Sequence, residues 1–178
     1  MKKILYFIEF IIVRTLFIIF KIIGYKASSN LGFFIGKIFG PVFRSKSLII
    51  KNLEKSKIVL KYNNYEIAKK VLGNYGRIFA EYPHLKKFRN NKLNKFIEIE
   101  GLEYLEKIKN ENKPVVFISG HFNNFELMAM QIEKSGINLA AIYRPLNNIF
   151  LNKTMEKIRE KYICKNQIKK VDREPGKS

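Results

Sequence analysis

The chain has 178 residues, 47% of them hydrophobic, which is too apolar for a disordered polymer and suits one domain with a short appendage. Thirty-four Lys and Arg against fifteen Asp and Glu leave a net charge of +19, which calls for an anionic partner: nucleic acid, an acidic membrane face, or an acidic protein or phosphorylated substrate. The single cysteine, Cys164, excludes an internal disulfide and a cysteine-based zinc site, while part of the lysine excess fits compositional drift in a chain also crowded with Asn, Ile, Phe and Tyr.

Ile4 to Ile23 is apolar except for Tyr6, Glu9, Arg14, Thr15 and Lys21. Its length suits a membrane-spanning helix, which needs about 20 residues. The two mid-segment charges oppose a span, each costing roughly 2.5–3.5 kcal/mol near the helix centre. No small-residue cleavage site follows, so the segment reads as a retained anchor that spans marginally or lies in the interface. The alternative is a buried core helix. A second apolar helix is expected from Ser29 to Phe43, where Gly32, Gly36 and Gly40 form a smooth stripe suited to close packing against a neighbouring membrane helix. Lys37, Arg44, Lys46, Lys51, Lys55 and Lys57 flank it, and each is worth about 1 kcal/mol against anionic headgroups. Residues 1–58 therefore read as an N-terminal membrane anchor and basic helical hairpin, and residues 59–178 as an α/β domain.

In that second part Asn63 and Glu66 have capping-box spacing, and Ile67, Val71, Leu72, Tyr75, Ile78, Phe79 and Tyr82 recur with helical period until Pro83 stops them. His84 to Lys95 reads as a loop or short helix. Phe96 to Glu100 alternates like a strand ending at Gly101, and Leu102 to Ile108 makes a short helix. Pro114 introduces Val115 to Ser119, a continuous apolar run typical of a buried parallel strand. A helix from Asn124 to Lys134 closes at Gly136, a strand runs from Leu139 to Tyr143 up to Arg144-Pro145, and a helix spans Ile149 to Tyr162. Strand and helix in alternation imply a mostly parallel sheet in an α/β fold.

Ligands in such sheets bind beyond the carboxyl ends of the strands, where His121 is expected. A neutral imidazole there can take a proton from a hydroxyl, and a carboxylate can orient it and stabilise the imidazolium. Glu126 is the candidate. Five residues apart on one helix the two would point about 140° apart, so they meet only if His121 stands in the loop after Gly120. Two blander readings stand beside this one. Asn123 and Glu126 also have capping-box spacing, and a strand-end histidine can be purely structural.

Gly120-His121-Phe122-Asn123-Asn124-Phe125-Glu126 resembles the Gly-His-Phe-Gly-Asn-Trp-Glu signature of the lipid A late acyltransferases, the lauroyl/myristoyl transferase family. The tract Ile142-Tyr143-Arg144-Pro145-Leu146-Asn147-Asn148 is similar to the family's Tyr-Arg-Pro segment, and the likeness extends to about Lys169. Asn123 stands for the usual Gly and Phe125 for the usual Trp. Family members continue through further strands and an Asp-Gln segment, so the chain is expected to carry only the N-terminal part of a glycerolipid-acyltransferase type of domain.

The resemblance implies transfer of a fatty acyl chain from acyl carrier protein to a hydroxyl of a lipid A precursor, on the cytoplasmic face of the bacterial inner membrane. It makes His121 the general base and Glu126 its partner, with direct attack on the thioester and neither metal nor cofactor. Arg144 is the candidate for a phosphate or the developing oxyanion, since its fork geometry suits either, and its alternative is a surface turn. Asn123 and Asn124 are candidates for substrate binding, or for capping. Two rivals remain. A truncated, inactive membrane-associated fragment would share everything except turnover. A basic nucleic-acid-binding protein would explain the charge and the 13% aromatic content, but not the apolar start.

Overall fold

Among the described residues the α-helices and β-strands follow one another in an order that is mostly helical: α1 (Lys2–Ile23), α2 (Tyr25–Phe43), α3 (Lys46–Lys55), α4 (Asn64–Glu81), α5 (Leu85–Arg89), α6 (Leu102–Glu111), α7 (Glu126–Lys134), β1 (Ala140–Tyr143), α8 (Ile149–Tyr162) and β2 (Asn166–Lys169). The computed structural model describes residues 2–43, 45–57 and 63–170. Arg44, the boundary expected at 58–59 and the polar tail from 171 lie outside the described residues. The chain divides into two units, residues 14–84 and residues 1–13 with 85–178.

In the unit of residues 14–84, Gly24 at φ +84° separates α1 from α2, and the glycine stripe of α2 then meets α4. A Cβ built on Gly36 would come within 2.5 Å of the Leu72 carbonyl oxygen, and one on Gly76 would collide with the backbone of Gly32 and Gly36. The bare stripe is therefore what lets the two backbones touch. Its partner is a helix of the same chain, where the sequence suggested a membrane neighbour. Asn63 caps α4 by accepting from Tyr65 N at 2.8 Å, and the helix stops at Glu81, ahead of Pro83 in the short 3-10 turn Tyr82–His84. Ile49, Ala68 and Leu72 form a small core between α3 and α4, and Phe17 and Phe20 pack on Phe79 at 5.1 and 6.3 Å.

A buried polar group closes one end of this unit. His84 Nε2 lies 2.9 Å from Ser28 Oγ and 3.1 Å from the carbonyl oxygen of Phe20. A carbonyl can only accept, so Nε2 carries the hydrogen. Ser29 donates to Glu81 Oε1 at 2.8 Å and Tyr25 to the same atom at 3.4 Å. Burial, then the Glu81 charge, push the Tyr25 phenol up to about 12.

The other unit buries Leu85, Phe88, Met130, Ile132, Ile163 and Cys164. Its sheet is β1 and β2 in parallel, with Ala140 opposite Asn166 and Tyr143 opposite Lys169. The sequence did not foretell β2. Two expected strands are absent among the described residues. Asn94–Phe96 is a 3-10 turn followed by irregular backbone where 96–100 was expected to pair, and Val115 to Ser119 is also irregular. Val116 is 85% and Ile118 93% exposed, the reverse of the buried strand expected there. The cause is that composition supplies a tendency whereas a strand exists only through a ladder partner, and the described sheet has two strands. The fold class is thus correct for a parallel pair with flanking helices, and corrected for sheet size.

The sequence left a marginal span and an interfacial helix open for α1. No described helix is long and apolar enough to cross a membrane, since Lys3, Glu9, Arg14 and Lys21 interrupt α1.

Candidate active site

His121 stands in the irregular segment after Gly120, ahead of α7, as the site geometry required. Its exposed ring meets Phe125 edge-on, with ring centroids 4.2 Å apart. The turn between them depends on Asn123, whose φ of +46° lies in the left-handed region. Glycine is at ease there and asparagine is the next most tolerant residue, so the replacement of the signature's Gly by Asn keeps the turn. The same turn delays α7, which starts at Glu126 rather than at the expected Asn124. The N-cap is Phe125 and no side-chain bond closes it, so the capping box between Asn123 and Glu126 is not formed.

Glu126 is buried, and its carboxylate turns to a partner that sequence reasoning missed. Arg159 on α8 places both Nε and a terminal nitrogen 2.9 Å from Glu126 Oε1, with 17% of the arginine side chain and 7% of the glutamate side chain exposed. In so dry a place a lone charge is costly, and the pair satisfies it. Among the described residues His121 makes no hydrogen bond to Glu126. The only signal for Arg159 was its place on a helix face with Asn152, Glu156 and Ile163, one cation on a face otherwise turned to the interior.

That face also grips the end of β1. The Tyr143 hydroxyl donates to Glu156, Asn152 Nδ2 donates to the same carboxylate at 2.8 Å, and Asn152 Oδ1 accepts from Leu146 N at 2.9 Å. The Tyr143 bond holds the Glu156 carboxyl below its ordinary range, and Glu156 in turn holds the Tyr143 phenol above its own. The Arg159 guanidinium lies 5.9 Å from the Tyr143 ring centroid. Arg144 follows at the exposed strand end.

One cavity of about 1140 Å³ brings these groups together. His121, Glu126, Tyr143, Arg144 and Arg159 line it, with Tyr143 at the carboxyl end of β1, and Val115, Phe117, Leu139 and Ile168 add apolar lining. Asn123 and Asn124, expected as substrate contacts, are not part of its lining; Asn123 shapes the turn instead. Among the described residues no three His, Cys, Asp or Glu side chains gather as metal ligands. The arrangement offers an accessible imidazole, a buried carboxylate fixed by a cation, and a second guanidinium beside an apolar trough.

The family model described as bacterial lipid A biosynthesis acyltransferase matches residues 1–168. No curated protein and no solved structure matches the chain.

Proposed function

Because the chain belongs to the bacterial lipid A biosynthesis acyltransferase family, and is therefore an acyltransferase acting on a lipid A-type glycolipid, we propose that it moves a fatty acyl group from acyl carrier protein to a hydroxyl of a lipid A precursor. The observation that carries this reading is the cavity lined by His121, Glu126 and Arg144 together with the apolar Val115, Phe117, Leu139 and Ile168.

The His121 imidazole takes the proton of the acceptor hydroxyl as its oxygen attacks the thioester carbonyl. The tetrahedral oxyanion collapses, the carbon–sulfur bond breaks, and the thiolate leaves with the proton returned by the imidazolium. The Glu126 carboxylate lies at the cavity wall as the candidate partner of the imidazolium, and Arg159 holds it in place. Arg144, exposed and free to reorient, serves a phosphate of the glycolipid or the oxyanion. The acidic carrier protein and the phosphorylated acceptor both fit the net charge of +19.

Glu126→Gln tests the part played by the carboxylate charge. The amide keeps shape but loses charge, so kcat per folded protein should fall by about a hundredfold or more, beyond whatever stability is lost with the Arg159 pair. A near-normal rate with only a loss of stability would reduce Glu126 to a structural partner of Arg159.

Ile4, Leu5, Ile8, Ile11 and Ile12 of α1 are exposed beside Lys2 and Lys3. This pattern suits a helix lying in the headgroup region of the cytoplasmic face of the inner membrane. The protein should sediment with vesicles of anionic lipid and far less with neutral ones; equal failure to bind both removes the membrane from this reading. A second reading, an inactive membrane-associated protein, is favoured by the exposure of Val116 and Ile118 next to His121. Turnover separates the two.

A further inference from the structure

Glu9 is a misfit in the sequence, a carboxylate in the midst of an apolar helix. The structure gives it a partner in Asn148, which is only 6% exposed. Asn148 Oδ1 accepts from the backbone N–H groups of Phe150 and Leu151 at 3.0 and 3.2 Å, capping α8. Its Nδ2 donates to the carbonyl oxygen of Tyr6 at 2.8 Å and to Glu9 Oε2 at 2.9 Å. Two lone pairs and two hydrogens are all that a side-chain amide has, and all four are used. The rings of Phe7, Phe10 and Phe150 pack beside this junction, with centroids 5.7 to 6.3 Å apart.

One amide thus fastens the first turn of α8 to the first half of α1. Eleven residues further along α8, about 16 Å at the helical rise, Arg159 holds Glu126. We propose that Asn148 is a positioning residue: through it α1 fixes the origin of α8, and α8 in turn fixes the Arg159–Glu126 pair at the cavity. Glu9 is present to accept that amide, which removes the contradiction of a charge in an apolar helix. The kinetic consequence rests on the acyl-transfer reading; the mechanical junction does not.

A plain N-cap would need only the oxygen of Asn148 and would be indifferent to Glu9. Asn148→Asp separates the two roles, because aspartate is an equally good cap but turns the donor into a carboxylate facing Glu9. Asn148→Asp with Glu9→Gln reverses the polarity of the bond, the new amide donating to the new carboxylate. The experiment uses the full chain on anionic vesicles and measures two things. One is kcat and KM for acyl transfer; the other is backbone hydrogen exchange over residues 149–162. Asn148→Asp should lower kcat about tenfold with little change in KM and speed exchange in α8, and the double variant should recover part of both, since the bond to the Tyr6 carbonyl stays lost. Glu9→Gln alone, whose amide oxygen still accepts from Asn148, should stay near wild type. A single Asn148→Asp variant indistinguishable from wild type in exchange, or a double variant no better than the single, would overturn the junction. If the wild type transfers no acyl group, the acyl-transfer reading fails and the exchange data still decide the junction.

Discussion

Glu126, with 7% of its side chain exposed, meets Arg159 at 2.9 Å, a nearly dry ion pair in which each charge offsets the desolvation of the other. Breaking such a pair by removing one partner typically costs about 3–5 kcal/mol, so the carboxylate and the guanidinium stand or fall together. Neither position announced this in the sequence. His121 and Glu126 were legible because a break, a histidine and an acid lie within seven residues. Arg159 was not, because its partner is 33 residues away and only the folded chain makes them neighbours. Asn123 was legible as a departure from a Gly-bearing signature, but its left-handed φ, which explains why Asn is tolerated, is a property of the folded turn. The Tyr143–Glu156 bond gives a test at this scale. Glu156 is held below its ordinary value chiefly by the Tyr143 hydroxyl, so its contribution is complete above its unfolded value of about 4.3 and fades as pH falls through the lowered folded value. Tyr143 is held above its ordinary value chiefly by Glu156, so its contribution is complete below about 10 and fades as pH rises through the raised folded value. Denaturant melts of wild type and Tyr143→Phe should therefore differ by a constant amount between those limits and converge outside them. A difference independent of pH would remove the bond from the stability of the site.

Helices obeyed the sequence more closely than strands did, for a reason that lies in their hydrogen bonds. α4 and α8 begin beside Asn63 and Asn148, whose side chains satisfy local backbone donors, and both follow the apolar period in their own residues. Phe96 to Glu100 and Val115 to Ser119 have strand composition, but the partner that would complete each ladder is a distant segment and nothing local supplies it. β2, with the polar sequence Asn166-Gln167-Ile168-Lys169, forms because β1 is beside it, not because its residues favour a strand. The stripe of Gly32, Gly36 and Gly40 lies between these cases. Its spacing announced close packing, while its partner α4 had to be seen. Gly76→Ala should disrupt that packing severely, since its Cβ would fall on the backbone of α2; calorimetry should show a large drop in Tm, beyond the roughly 1–3 kcal/mol of ordinary overpacking. Gly24→Ala is the control. It meets nothing within 4 Å, and only its φ of +84° opposes it, at about 1–2 kcal/mol. Equal and small effects at the two sites would mean that α2 and α4 are not in backbone contact.

At the scale of the whole molecule, composition excluded more than it identified. A charge of +19 with a largely apolar start is compatible with nucleic acid, membrane or acidic protein, and it took the His121 segment and the Tyr143-Arg144-Pro145 tract to choose among them. Family membership now rests on a match over residues 1–168, and the structure adds a cavity whose lining includes His121, Glu126, Arg144 and Arg159. The proposed role of His121 as the base is the claim on which this reading depends. The most direct test is the initial rate of acyl transfer from acyl carrier protein to a phosphorylated glycolipid acceptor, measured for wild type and His121→Ala at equal amounts bound to anionic vesicles. Loss of a general base should cut the rate by about 10²–10⁴ with membrane binding unchanged. Equal rates for the two proteins would contradict the assignment of His121 as the base.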